Sequence, residues 1–120
     1  MSDTVRYTRE RNVFGNPLMD FQNTQFKLAE CQAEIMIGEA YVDRCNSELL
    51  DGQLMDARAA AAKMWLSEMQ ARVVDTCLHF FDGYGYMSEY PVARAFTDAR
   101  AQRIYGGANE IMRVIIARSL

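Results

Sequence analysis

Residues 102 to 118 read QRIYGGANEIMRVIIAR, with Gly106 and Gly107 set between two stretches of helical character. Where one helix stops and another begins, bare backbone leaves amide N–H groups free near the positive end of the second helix. Such a spot suits an oxyanion or a phosphate. The same pair would also serve as a helix C-cap followed by a turn, so spacing alone leaves both readings open. Near the other end of the chain, Arg9 and Arg11 stand beside Phe14-Gly15. A guanidinium matches phosphate geometry as a fork, which makes these arginines candidates for clamping a pyrophosphate. An arginine at a helix C-terminus equally complements the helix dipole. His79 is the sole histidine and adjoins Phe80 and Phe81, a setting that favours a packed imidazole bonded to backbone over a ligand or a base. Tyr84, Tyr86, Tyr90 and Tyr105 gather around glycine turns, where their rings suit boundary packing or the edge of a flat cofactor. Residue 76 is Thr76, which removes the Glu-x-x-His spacing of di-iron bundles. No metal-ligand set and no Ser/His/Asp or Cys/His nucleophile arrangement can be assembled, so no catalytic residue is assigned.

These residues must be positioned by helices. Glycine and proline punctuate the chain at Gly15 with Pro17, at Gly52, at Gly83 with Gly85, at Pro91 and at Gly106 with Gly107. From Phe21, the residues Phe21, Leu28, Ile35, Val42 and Leu49 recur every seven positions. Thr24, Cys31, Gly38 and Cys45 form a column of small side chains beside them. The pattern predicts a helix of about 30 residues, about 45 Å long, shaped for close packing. A second helix is predicted from Asp56 to Phe81, where Trp65, Met69, Val73, Cys77 and Phe81 repeat at four residues after an alanine-rich start. The short LDGQLMD connection makes the two antiparallel. Gly83 and Gly85 can take positive φ to end that helix, Ser88 is an N-cap candidate, and Pro91 fits a first turn. Further helices are expected from about Glu89 to Ile104 and from about Ala108 to the end, and SDTVRYTRER also has helical composition. With no strand pattern, repeat or low-complexity tract, the fold class is all-α, an antiparallel helical bundle.

At 120 residues and 50% hydrophobic, the chain suits one single-core domain. A net charge of −3, with no basic run beyond RYTRERN, argues against nucleic acid as a partner. Cys31, Cys45 and Cys77 are an odd count without CxxC spacing, and are expected as reduced, buried thiols. No stretch nears the ~18 consecutive apolar residues of a membrane span, and the charged start lacks an apolar leader. A soluble, intracellular protein of the cytoplasm, without a membrane partner, is expected.

Taken together, FDGYGYMSEYPVARAFTDARAQRIYGGANEIMRVIIAR closely resembles the C-terminal end of the flavin-dependent acyl-CoA dehydrogenases. RERNVFGNPLMDFQNTQFKLAE is similar to that family's Arg-x-x-Phe-Gly stretch, followed by Phe-Gln and a long helix. The ordered series G-x-G-Y, E-Y-P, D-A-R, I-Y-x-G, E-I and I-I-A-R is far more specific than one glycine pair. The resemblance implies homotetramers or homodimers that oxidise an acyl-CoA thioester to its 2,3-enoyl form, using FAD and passing electrons to an electron-transfer flavoprotein. It implies that Arg11 and Phe14 hold the flavin dinucleotide of the neighbouring subunit, with Gln22 a few residues on. It puts His79 to Gly83 where a Gln-x-x-Gly-Gly loop touches the adenosine diphosphate part. It puts Gly107, Ala108 and Asn109 beside the flavin, and Tyr105 with Gly106 against the acyl chain.

Three positions depart from the family pattern: the familiar glutamine is His79, the first glycine of its loop is Asp82, and the usual threonine after the second glycine is Ala108. Asp82 would repel a pyrophosphate unless it turns away. Gly106 stands where short-chain members carry their catalytic glutamate, as in the long-chain type, whose base comes from an earlier helix. The resemblance therefore implies that glycine makes room for a carboxylate reaching in from elsewhere. Residues 1–120 are expected to be the C-terminal domain alone, with its first helix truncated and the N-terminal and middle domains absent. Exposed apolar faces then predict a homo-oligomer. A non-catalytic binding or assembly module is the alternative, and a small complete enzyme using Glu110 ranks last.

Overall fold

The computed structural model describes residues 1–120. Five helices carry the chain: α1 (Ser2–Glu10), α2 (Gln22–Leu50), α3 (Asp56–His79), α4 (Pro91–Gln102) and α5 (Asn109–Ala117). The all-α bundle expected from the sequence is the fold observed. One detail differs, because β1 (Asn12–Val13) and β2 (Asn16–Pro17) pair as a minimal antiparallel hairpin. Two-residue strands are too short to show any period. Their turn has φ of 52° at Phe14 and 85° at Gly15, the doubly left-handed geometry that suits the twist of a tight hairpin. No helix is long and apolar enough to cross a membrane.

The long helices α2 and α3 run antiparallel, joined through Gly52 at φ 66°. Their partners appear in opposite order along the two helices, from Cys31 against Val73 and Cys77 at one end to Glu48 against Arg58 at the other. Glu48 is buried between Arg44, at 2.7 Å, and Arg58. Thr24, Cys31, Gly38 and Cys45 are all buried, so the small-residue column is the contact line. At Gly38 an added Cβ would stand 3.0 Å from both Leu66 Cδ2 and Met69 Cε, which shows how closely α3 approaches. The column of larger residues does not stay inside. Leu28 is buried but Leu49 is 62% exposed. A seven-residue repeat drifts by roughly 20° per heptad around a straight helix, and this column lies to one side of the contact line, so it rotates into solvent.

The central helix is α3, with α4 along one side and α5 across its N-terminal half. Tyr7 of α1 stacks on Phe81 at 4.1 Å, and Tyr90 meets Phe81 edge-on, tying α1 to the turn before α4. The start of α4 differs from expectation. Tyr90, not Ser88, is the N-cap residue, and Pro91 takes the first turn. Ser88 contributes its carbonyl oxygen instead, which accepts from Arg94. The body measures 54 × 24 × 23 Å with a radius of gyration of 17.1 Å, against about 13–14 Å for a compact chain this long. Only 17 of 120 residues are buried, so the core is a thin line and broad faces are left uncovered. Phe26, Met36 and Ile37 on α2 and Ile111 on α5 are among the exposed apolar side chains.

Candidate functional site

The residues singled out by sequence gather at two places on α3. The first is a cleft of about 260 Å³ at its C-terminal end, lined by Arg11, Val13, Leu18, Asn23, Thr24, His79, Phe80 and Asp82. Arg11 is the C-cap of α1, its backbone N–H bonded to Tyr7 O at 2.8 Å, and its guanidinium enters no salt bridge. Beside it the phenol of Tyr7 is pushed up by burial, an effect that Arg11 opposes. Arg9 does not join Arg11. It lines a separate depression with Val5, Arg6 and Gln32, because two positions along a helix point to different sides. Phe14 is 93% exposed at the tip of the hairpin, and Gln22 and Gly83 are exposed nearby.

Asp82 is the instructive member of the cleft. The glycines were expected to supply positive φ after α3, but the residue that adopts it is Asp82, at 50°. Aspartate tolerates the left-handed region better than most residues because its short side chain can bond locally. Gly85 is needed for another reason: a Cβ there would lie 2.7 Å from Leu78 O. Asp82 lines the same cleft as Arg11 and His79.

The second place is the loop from Ile104 to Ala108, over the N-terminal half of α3. Gly106 and Gly107 have φ of 64° and 90°. A Cβ at Gly106 would meet nothing within 4 Å, whereas at Gly107 it would strike Met112 Cε at 2.6 Å. The amide groups of Gly106, Gly107 and Ala108 donate to no backbone carbonyl, and Ala108 caps α5 without a side-chain bond. Three successive amides are thus left without a backbone acceptor, beside Tyr105, which is 60% exposed. Asn109 behaves differently. Its side chain is 3% exposed and points into the bundle, where Lys63, Ser67 and Glu68 take up its amide. Glu110 is exposed on α5 and lies 4.0 Å from Arg113.

Lys63 and Glu68 carried no mark in the sequence reading. The one signal along the chain is Lys63 following four consecutive alanines in the opening of α3, and Glu68 has none to set it apart from the other charges of that helix. From Lys63 to His79 the axis of α3 covers about 24 Å at 1.5 Å per residue, so cleft and loop are separate patches. A groove of about 570 Å³ between α3 and α4, lined in part by Val74, Phe96, Ala99 and Arg100, gathers none of the residues singled out by sequence.

Residues 1–120 match the family model described as acyl-CoA dehydrogenase, C-terminal domain. The mitochondrial long-chain specific acyl-CoA dehydrogenase of Sus scrofa is 44% identical over 118 residues, which are 98% of this chain and 27% of that one. The crystal structure of an acyl-CoA dehydrogenase from Geobacillus kaustophilus superposes with a TM-score of 0.96 at 41% identity, covering 98% of this chain and 31% of that chain. Butyryl-CoA dehydrogenase from Megasphaera elsdenii superposes with a TM-score of 0.94 at 36% identity, again covering 98% and 31%. The chain thus spans less than a third of the length of these relatives. With every residue inside the matched region and the helices superposing along it, the chain belongs to the acyl-CoA dehydrogenase family, in its C-terminal helical domain.

Proposed function

We propose that this chain is the C-terminal part of an FAD-dependent enzyme that converts acyl-CoA thioesters to 2,3-enoyl thioesters, and that its cleft and its loop serve two different flavins. The observation that carries this reading is the Tyr105–Ala108 loop, where three unpaired amide donors and an exposed aromatic ring stand at the start of α5. FAD, when bound, supplies the acceptor for the substrate's β-hydride and passes the electrons on to an electron-transfer flavoprotein. The residues present suit that group. Arg11 is free to fork onto a diphosphate at the cleft, with His79 and Gly83 at its rim and Gln22 nearby. Phe14, held at a strained φ with its ring in solvent, is placed to pack against something outside this chain.

At the loop, the amides of Gly107 and Ala108 are donors for a ring edge, and Tyr105 with Gly106 faces the acyl chain. Asn109 contributes from behind, by holding the loop. The open space at Gly106 suits a carboxylate base arriving from outside these 120 residues. Glu110 is on the outer side of α5 and is not that base. The separation of cleft and loop along α3 favours a flavin shared between two subunits. The exposed apolar faces of α2 and α5 supply surface for a homo-oligomer. Three unpaired, buried cysteines accord with a reducing compartment, which we take to be the cytoplasm.

Those apolar faces would also suit a helical assembly module without chemistry, and one experiment separates the two. The full-length protein should purify with a flavin absorbance band and oxidise acyl-CoA, and Arg11→Ala should lose the flavin. A colourless oligomer that leaves acyl-CoA unchanged would favour the assembly module.

A further inference from the structure

We infer that Glu68 and Lys63 of α3 are positioning residues that fix the Tyr105–Ala108 loop. The loop has little to hold itself, since its two consecutive glycines at positive φ restrict the backbone least and the amides of Gly106, Gly107 and Ala108 find no backbone acceptor. Glu68 clamps both of its ends. One carboxylate oxygen pairs with Arg103 Nη2 at 3.0 Å, just before the loop, and the other accepts from Asn109 Nδ2 at 2.9 Å, just after it. The Asn109 backbone N–H closes the base by donating to Arg103 O at 3.1 Å.

Lys63 holds the middle. Its ammonium donates to Gly107 O at 2.7 Å and to Asn109 Oδ1 at 2.8 Å. It enters no salt bridge, so this cation is spent on a loop carbonyl and an amide oxygen. The arrangement also fixes how Asn109 is turned. Lys63 can only donate and the Glu68 carboxylate can only accept, so the amide oxygen must face one and its NH₂ the other. Charge-assisted bonds of this kind are stronger than neutral ones. The result is a loop with unpaired amide donors and a fixed anchor on its inner face.

That the braced loop serves turnover rests on the function proposed above, whereas the bracing itself does not. In the full-length protein, without substrate, Glu68→Ala and Lys63→Met should speed amide exchange at Asn109, Ile111 and Met112 by about tenfold to a hundredfold, leaving α2 unchanged. Unchanged exchange at these amides in both variants would overturn the inference. So would equal acceleration throughout the chain in Lys63→Met, the milder change, since that reports global destabilisation. In the flavin-loaded protein, Lys63→Met should lower kcat by about tenfold or more with flavin content retained, and Lys63→Arg should restore most of it. A kcat that stays at the parent value while exchange accelerates would refute the positioning role but leave the bracing intact. A protein that never binds flavin would refute the proposed function and leave the exchange result standing.

Discussion

The two ends of α3 solve opposite problems. At the C-terminal end, Arg11, His79 and Asp82 line an open cleft, with no salt bridge to Arg11 and with left-handed backbone at Phe14 and Asp82. Over the N-terminal half, the loop is just as exposed on its outer face but is anchored from beneath by Lys63, Ser67, Glu68 and a buried Asn109. The cleft offers charge and an outward-facing ring whose final geometry a partner surface can set. The loop offers backbone donors whose geometry is set in advance. A group that must fix the reacting atoms needs the second design, because small misplacements of a reacting centre are expensive in rate. A group that must only grip a diphosphate can use the first.

Substitutions should separate the two ends. The largest effect is expected at Gly107→Ala, where an L side chain meets φ 90° and the new Cβ displaces Met112. Unfolding by denaturant should show a loss of about 1–3 kcal/mol, with substrate turnover falling further than flavin content. The effect of Asp82→Gly at the cleft should be smaller and opposite in sign. Glycine suits φ 50° and removes a carboxylate from the cleft, while its extra freedom in the unfolded chain offsets the gain. Stability should therefore move by less than about 1 kcal/mol, and nucleotide affinity should rise by about fivefold, equivalent to one charge repulsion of about 1 kcal/mol in water. Weaker nucleotide binding in Asp82→Gly would mean that the carboxylate is a partner in the site and not a repulsive neighbour.

How much of this was legible in the sequence follows from the range of each interaction. The spans of α2 and α3 are visible because periodicity and the glycine and proline stops are local signals, and the boundaries fall within two residues of the expected ones. The contact line of α2 is half legible. Both columns are plain, but which of them stays buried depends on the slow rotation of the repeat. The hairpin at Phe14-Gly15 and the left-handed Asp82 are hidden because each is a conformation of single residues, set by their neighbours in space. Most hidden is the anchor of the loop. Lys63 and Asn109 lie 46 positions apart, and nothing along the chain joins them until α5 folds back over α3.

Subunit complementation tests the division of labour between cleft and loop most directly. Arg11→Ala impairs only the cleft and Gly107→Ala only the loop, and each homo-oligomer should be nearly inactive. If a flavin lies between the cleft of one subunit and the loop of another, a mixed oligomer contains one intact site. Dissociating and reassembling the two variants together should then restore about a quarter of wild-type turnover by random pairing in two-fold assemblies. A mixture no more active than its parents, with mixed oligomers demonstrated, would place cleft and loop in one chain's own site and contradict the account.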